Sequence, residues 1–547
     1  MRDQLSTPIT IPKQRLSLDN IIAVSRGLRK TEISQDPNLH TQLQASRQFI
    51  ENAVDNGDAI YGVTSGFGGL AHIAIPREDV EPLQNNLTWF HQVGTGDYLP
   101  DEHARGAMLL VMNALMQGKS GIRFDIIERL NLFLNNQATP KLFDLISIGA
   151  SGDLCPLSYI TACLIGSGPS WKMQYKGEVQ SALAVLDQLG LQPLPLQAKE
   201  GLALVNGTGV MTSIAAHCIY DSKQLIKVAM AVHALLIQGL AGTNQSFHPF
   251  IHAAKPHPGQ QYAASTMLAL LRGSALIRDE LDGRHEHRDN DLIQDRYSLR
   301  CLPQFMGPIV DGINTIYQQV ECEANSVTDN PLIDSDNNIS LHGGNFLGQY
   351  IGLGMDQLRH HIALLAKHID VQIAVAVNQH FNRGLPPLLI GNPARRYNGG
   401  LQGLQIACNS ITPLLGFYAN PLTPHFPTHA DSFNQNINSQ GFGSANLARR
   451  SVSLWQQQLA MALMFGVQAV DLRTYVNHNH YDARQTLSPL TNSLYCAVKD
   501  LLDIAPSDSK PYVWNDDEQI LEHHIAALVT DLQNIDSRII ASLAEIE

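Results

Sequence analysis

Ser147-Ile148-Gly149-Ala150-Ser151-Gly152-Asp153-Leu154-Cys155-Pro156-Leu157-Ser158-Tyr159 is the stretch the rest of the chain is arranged to serve. Its centre joins three small residues, Ala150, Ser151 and Gly152. The glycines on both sides let the backbone bend where bulkier residues cannot. A tight bend brings the amide nitrogen of Gly152 onto the carbonyl carbon of Ala150. Closing that bond with loss of two waters, one of them carrying the Ser151 hydroxyl, gives a five-membered ring bearing an exocyclic methylene. That ring is an electrophile, which no ordinary side chain supplies. A bare Ala-Ser-Gly reads as a plain turn. The remainder of the chain has to decide between the two.

The chain has 547 residues, 44% hydrophobic and 16% charged, a globular composition too apolar for disorder. So little charge hints at surface buried between subunits. A net charge of −13 argues against nucleic acid or an anionic membrane as the main partner. Cys155, Cys163, Cys218, Cys301, Cys322, Cys408 and Cys496 form no CxxC pair and no even framework, so reduced thiols are expected. The N-terminus shows no apolar signal core, and Val228 to Gly242, the most apolar run, is too short to cross a bilayer. A cytoplasmic protein is the expectation.

Periodicity predicts mainly α structure. A short strand covers Ile9-Thr10-Ile11, Asp19 is a candidate cap for a first helix, and Gln42–Asn56 reads as a second. Further helices are expected at Glu81–Thr95, Asp101–Gln117 and Arg123–Asn136. Another follows the central motif, before a polar excursion from Ser167 to Pro195. Long runs near period 3.6 cover Val210–Gly242, Leu302–Ala324, Asn345–Asn378, Gly399–Tyr418 and Ser439–Tyr475. Runs of this length read as members of a long bundle. The tail holds one more helix from about Asp516. One continuous body is expected, with an N-terminal region 1–205 bearing the tripeptide, a central bundle 206–480 and a helical tail 481–547. Minor β structure is confined to the first 200 residues.

Five polar blocks lie between or at the ends of these runs: Tyr61–Gly69 (YGVTSGFGG), Val205–Thr208 (VNGT), Gln294–Arg300 (QDRYSLR), Asn325–Leu332 (NSVTDNPL) and Phe433–Gly441 (FNQNINSQG). With SIGASGDLCPLSYI, they resemble in order the aromatic amino acid ammonia-lyases and histidine ammonia-lyases, from Tyr61 to about Tyr481. The likeness is greatest to bacterial, cyanobacterial-type phenylalanine ammonia-lyases. The resemblance implies an all-α, long-helix bundle of the ammonia-lyase/fumarase-like type. It also implies a homotetramer whose active sites each draw on three subunits. Its prosthetic group is 4-methylidene-imidazol-5-one (MIO), formed from Ala150, Ser151 and Gly152; no metal and no nucleotide are implied.

Removing ammonia from an α-amino acid requires an electrophile, a strong base for a weakly acidic β-hydrogen, and a clamp for the carboxylate. Tyr61 is the candidate base. A free phenol titrates near ~10, so it serves only if positive charge or helix N-termini stabilise the phenolate. Arg300 can grip a carboxylate through two parallel N–H···O bonds, a geometry Lys cannot copy. By resemblance Arg300 is the anchor and Asn330 shares the carboxylate. Tyr297 neighbours the electrophile, Asn206 bonds the ring's oxygen and Gln435 lies close by. Phe67, Gly68, Leu87, Phe90, His91, Leu154 and Leu202 shape the pocket.

Three positions depart from the phenylalanine pattern. Phe90-His91 stands for the expected Phe-Leu, so His91 either receives a ring hydroxyl or bonds only its neighbours. Asp431 replaces Glu, which sets a carboxylate back by ~1.5 Å. Gln402 replaces Lys and removes a positive charge. Asn436, where histidine-specific relatives are acidic, counts against histidine.

The reading is non-oxidative loss of ammonia from an aromatic L-amino acid, phenylalanine foremost, with tyrosine or DOPA open. A 2,3-aminomutase using the same electrophile is the alternative. Metal-dependent hydrolysis has only weak support from the 22 histidines: His285/His287 and His478/His480 are possible pairs, but no HExxH is present, and Pro427 separates His425 from His429. A serine hydrolase would need GxSxG, which the central motif lacks. A non-catalytic scaffold would have no use for Tyr61, Asn206, Arg300 and Asn330 in these settings.

Overall fold

Side-chain caps set the starts of the first two helices in the computed structural model, which describes residues 7–13, 15–284 and 292–546; His285 and His287 lie outside the described residues. Ser17 rather than Asp19 caps the first helix, Leu18–Ser25, by accepting from Asn20 N. The second begins at Pro37, ahead of the expected Gln42. Asp36 caps it, and a proline in the first turn has no N–H to leave unpaired. The helix expected over Glu81–Thr95 is Val80–Phe90, because Thr95–Tyr98 is taken into a strand antiparallel to Phe143–Leu145.

The chain is mainly helical, as the period demanded. Gly209–Gly239, Leu302–Ala324, Gln349–Val377, Gln402–Tyr418 and Gly441–His478 match the five long runs to within a few residues. Gly441–His478 is apolar and long enough to cross a membrane. Its apolar window is 89% buried in the protein, as in a core helix. In the tail Pro489–Leu501 is an additional helix capped by Ser488, and Leu521–Gln533 starts later than Asp516.

Small sheets fill in between. Ile9–Ile11 pairs in parallel with Thr31–Ile33, and the excursion after Ser167 folds into the hairpin Lys172–Tyr175/Glu178–Ser181 and the helix Ala182–Gln188. The hairpin Leu332–Asp334/Ile339–Leu341 lies beyond the first 200 residues, where no strand was expected. Three-residue strands carry too little alternation to be read from sequence.

Packing divides the chain into two units, each assembled from separated stretches. The first comprises Met1–Tyr220, Ile316–Asp356 and Pro421–Arg449; the second comprises Asp221–Thr315, Gln357–Asn420 and Arg450–Glu547. In the first unit a cluster of Ile50, Ala53, Ile60, Val63, Val80, Ala198 and Ile333 is buried. In the second, the buried Asp471 carboxylate accepts from Tyr495 Oη at 2.6 Å, Lys499 Nζ at 2.8 Å and Tyr512 N at 2.8 Å.

Candidate active site

The tripeptide lies in the first unit, in a backbone cradle. Gly149 and Gly152 have φ of +70° and +67°, a conformation L side chains rarely adopt. A Cβ on Gly152 would sit 2.0 Å from Gly207 O, and one on Gly149 would sit 2.3 Å from Ser439 Oγ. Hydrogen bonds occupy the flanking groups. Gly149 O accepts from Ser439 N and Oγ at 3.0 and 2.9 Å, and Gly152 O accepts from Ser147 Oγ at 3.1 Å. Gly207 bridges the far side, taking Asp153 N at 2.6 Å and giving its own N–H to Ser151 O at 3.3 Å. Among the described residues, Gly152 N and the Ala150 carbonyl, the two groups expected to join in the ring, have no hydrogen-bond partner. The backbone on either side is pinned, and these two groups are left unpaired. The residues present therefore fit the prosthetic group. Gln435 Nε2 donates to Ser151 Oγ at 3.1 Å, which puts Gln435 beside the centre.

Asp153 is fully buried at the start of the helix Leu154–Ile165. Its Oδ2 accepts from Met211 N at 2.7 Å, while Oδ1 has no partner among the described residues. Burial pushes its carboxyl up to about 7, against the lowering effect of the Met211 and Val210 amides.

Tyr61 is held by its neighbours. Ile60 and Val63 are sunk in the apolar cluster, each worth roughly 1.5–3 kcal/mol of burial. The loop also has Gln84 Nε2 donating to Gly62 O at 2.8 Å, with Gln84 Oε1 accepting from Leu202 N at 3.1 Å. Leu202 and Phe67 close on this point: a Cβ on Gly62 would meet Leu202 Cδ2 at 2.7 Å and Phe67 Cε1 at 2.8 Å. Gly68 N donates to Tyr61 Oη at 2.8 Å, and Asp431 Oδ1 accepts from Gly69 N at 3.2 Å. The phenol pKa is nonetheless raised, first by burial and then by Asp431, with only the Gly68 N–H acting against them. Of the two supports expected for Tyr61, positive charge or a helix N-terminus, the first unit supplies the N–H of Gly68 at the head of the short turn Gly68–Leu70. It sets a carboxylate where a cation would help, so the phenol stays protonated.

Asn206 and Asn330 are joined: Asn206 Nδ2 donates to Asn330 O at 3.0 Å, and Asn330 Oδ1 accepts from Gly343 N at 2.7 Å. Beneath them the Asp329 carboxylate takes Lys199 Nζ at 2.6 Å on one oxygen and Asn330 N at 2.7 Å on the other. Lys199 is completely buried.

Leu87, Phe90 and His91 end the helix Val80–Phe90. Leu87 is buried, Phe90 is half exposed and His91 is 8% exposed. His91 Nδ1 lies 3.1 Å from Ser158 Oγ, which itself donates to Leu154 O at 2.8 Å. With the hydroxyl proton committed to Leu154, Nδ1 carries the imidazole proton and Nε2 keeps a lone pair. Burial lowers its pKa to about 4, so the ring is neutral at physiological pH. His91 does bond its neighbours, Ser158 Oγ through Nδ1 and the Leu87 carbonyl, which acts against the lowering.

Tyr297, Arg300 and Gln402 belong to the second unit. Tyr297 is 73% exposed at the head of the short helix Tyr297–Arg300, and the Arg300 guanidinium stacks 4.4 Å over its ring. Gln402, exposed, opens the helix Gln402–Tyr418.

Gln84, Ser439 and the Lys199–Asp329 pair were not anticipated. Gln84 had a signal, since Val80, Gln84 and Leu87 share the buried stripe of one helix at helical spacing. Among the described residues no group of three or more His, Cys, Asp or Glu is gathered as a metal site would require. His480 faces Asp508 at 3.9 Å, in the second unit.

Residues 16–500 match the model of a family described as aromatic amino acid lyase. The chain is 56% identical over 524 residues to a phenylalanine ammonia-lyase of Nostoc punctiforme, covering 96% of this chain and 92% of that one. It is 44% identical to an aromatic ammonia-lyase of Loktanella atrilutea, covering 96% of each. Its fold is similar to that of a tyrosine aminomutase of Streptomyces globisporus, with a TM-score of 0.86 and 29% identity over 96% of this chain and 97% of the other.

Proposed function

This chain belongs to the aromatic amino acid lyase family, and from that premise we propose that it removes ammonia from an aromatic L-amino acid, L-phenylalanine first. The product is the trans-arylacrylate, cinnamate in that case; L-tyrosine and L-DOPA, giving coumarate and caffeate, are the other candidates. MIO formed from Ala150, Ser151 and Gly152 supplies an electrophile beyond the reach of any side chain. The observation that carries the reading is the cradle in which Gly152 N and the Ala150 carbonyl are unpaired while the groups around them are hydrogen-bonded.

The side chains divide the remaining work. Arg300 and Asn330 hold the substrate carboxylate, Arg300 through its two-pronged guanidinium. Tyr61 takes the β-proton at Oη. Gly68 N–H already points at that oxygen and strengthens as its charge grows. The carboxylate Asp431 beside it must be offset by positive charge from outside the first unit, and Arg300 is a candidate when another subunit brings it in. A cytoplasmic homotetramer with shared sites meets that requirement. Support comes from exposed apolar residues such as Tyr297, Tyr350, Phe417 and Phe433, and from seven cysteines none of which is in a disulfide.

Ser151→Ala tests the reading. It should lose activity by orders of magnitude while keeping the fold, and its intact mass should lack the loss of two waters that the active protein carries. Near-normal turnover by this variant refutes the proposal. The fold shared with an aminomutase favours a second reading, in which ammonia returns to the β-carbon. β-Phenylalanine formed from L-phenylalanine with little cinnamate decides for it.

A further inference from the structure

The geometry points to a positioning relay, His233–Gln372–His368, that sets the clamp segment carrying Tyr297 and Arg300 by gripping the Ser298 carbonyl between them. It rests on the reading of Arg300 as the carboxylate anchor.

All its members lie within the second unit. Ser298 O accepts two N–H donors, His368 Nε2 at 2.7 Å and Gln372 Nε2 at 2.6 Å. The donors stand four residues apart, on one face of the helix Gln349–Val377. Gln372 Oε1 in turn accepts from His233 Nδ1 at 2.7 Å. A carbonyl can only accept, so every direction in the chain is determined. His368 is protonated on Nε2, His233 on Nδ1, and the Gln372 amide cannot be turned over. The outward nitrogens, His368 Nδ1 and His233 Nε2, are buried without partners among the described residues, with the two rings 4.4 Å apart. Burial holds both imidazoles below their usual pKa and hence neutral.

The same segment is tied at its other end. The Asp295 carboxylate takes Thr243 N at 2.7 Å, Arg278 Nη2 at 2.8 Å and Arg383 Nη2 at 2.9 Å. Two anchors three residues apart hold the backbone of Tyr297 from both sides, although its side chain is 73% exposed. Burying three polar side chains, two with an orphaned nitrogen, to serve one carbonyl is costly if stability is the only return. It is understandable if the return is placement, because misplacing a clamp by about 1 Å costs on the order of 100-fold in rate.

The experiment compares His368→Leu, Gln372→Met, His368→Gln and Arg300→Lys in the full chain, each checked for its thermal transition and for loss of two waters by intact mass. His368→Leu and Gln372→Met should raise KM for L-phenylalanine and the inhibition constant of trans-cinnamate about tenfold. The inhibition constant of 2-phenylethylamine, which has no carboxylate, should not move. His368→Gln keeps an N–H donor and should bring both carboxylate-dependent constants back to within about threefold of wild type. If His368→Leu fails to fold, Gln372→Met, nearly isosteric, carries the test. Unchanged KM in folded Gln372→Met overturns the relay, as does an equal loss for 2-phenylethylamine, which marks a merely structural role. Arg300→Lys keeps the two readings apart. If it leaves cinnamate binding intact, the clamp itself is wrong; if it weakens binding while the relay variants do not, the relay alone is wrong.

Discussion

Replacing Asp153 by Asn should flatten part of the pH dependence of stability. Asp153 is fully buried beside the tripeptide, its carboxyl pushed from 3.8 to about 7 by burial. The folded chain therefore holds one more proton than the unfolded chain between about pH 4 and 7. Stability contributed by this group is full below pH 4 and is lost as pH rises through 7. The rise from 3.8 to about 7 amounts to roughly 4 kcal/mol in all, of which roughly 2.5 kcal/mol falls between pH 5 and 8. Asn cannot ionise and still offers an oxygen to Met211 N. A constant penalty from its new N–H groups, of about 1–3 kcal/mol if they stay unpaired, cancels when each protein is compared with itself across pH. Guanidinium unfolding at pH 5, 6, 7 and 8 reads the effect. The wild type should lose roughly 2.5 kcal/mol more than Asp153→Asn over that interval. Parallel curves for the two proteins would show that Asp153 is ionised throughout, and the argument from burial would fail.

Lys199→Met should destabilise the first unit by about 3–5 kcal/mol by stranding the buried Asp329 carboxylate, whereas Lys199→Met/Asp329→Asn, which removes the stranded charge and keeps an oxygen for Asn330 N, should recover most of that loss in denaturant titrations. A single variant as stable as wild type contradicts the pairing. Gln84→Leu leaves Gly62 O and Leu202 N unpaired at about 1–3 kcal/mol each, and should lower kcat through a loosened Tyr61. Unaltered kcat at saturating substrate would mean that Tyr61 does not depend on Gln84. For His91→Leu, the kcat/KM ratio of tyrosine or DOPA to phenylalanine should fall roughly threefold to tenfold, the value of one neutral hydrogen bond from a ring hydroxyl to Nε2. An unchanged ranking across the three substrates assigns His91 to its neighbours alone.

Much of the active region was legible because its chemistry is local. The condensation proposed for Ala150-Ser151-Gly152 needs only consecutive small residues and a neighbouring glycine, and Gly149 and Gly152 do take positive φ. The five long helices were equally plain, since their period repeats over many turns. Three-residue strands and caps such as Ser17 and Asp36 were harder, because one hydrogen bond from a neighbouring residue decides them.

What the amino-acid order determined by itself was the identity of the reactive stretch, the helical class and the family. Tertiary structure alone decided which groups stand free and which are held. It left Gly152 N and the Ala150 carbonyl unpaired, fastened Asn330 to Asp329, and set a carboxylate rather than a cation beside Tyr61. The reason is physical. Hydrogen-bond satisfaction and desolvation depend on atoms brought together from far along the chain, Gly207 onto Ser151 and Asp431 onto Gly69, and no period or motif at either position encodes the encounter.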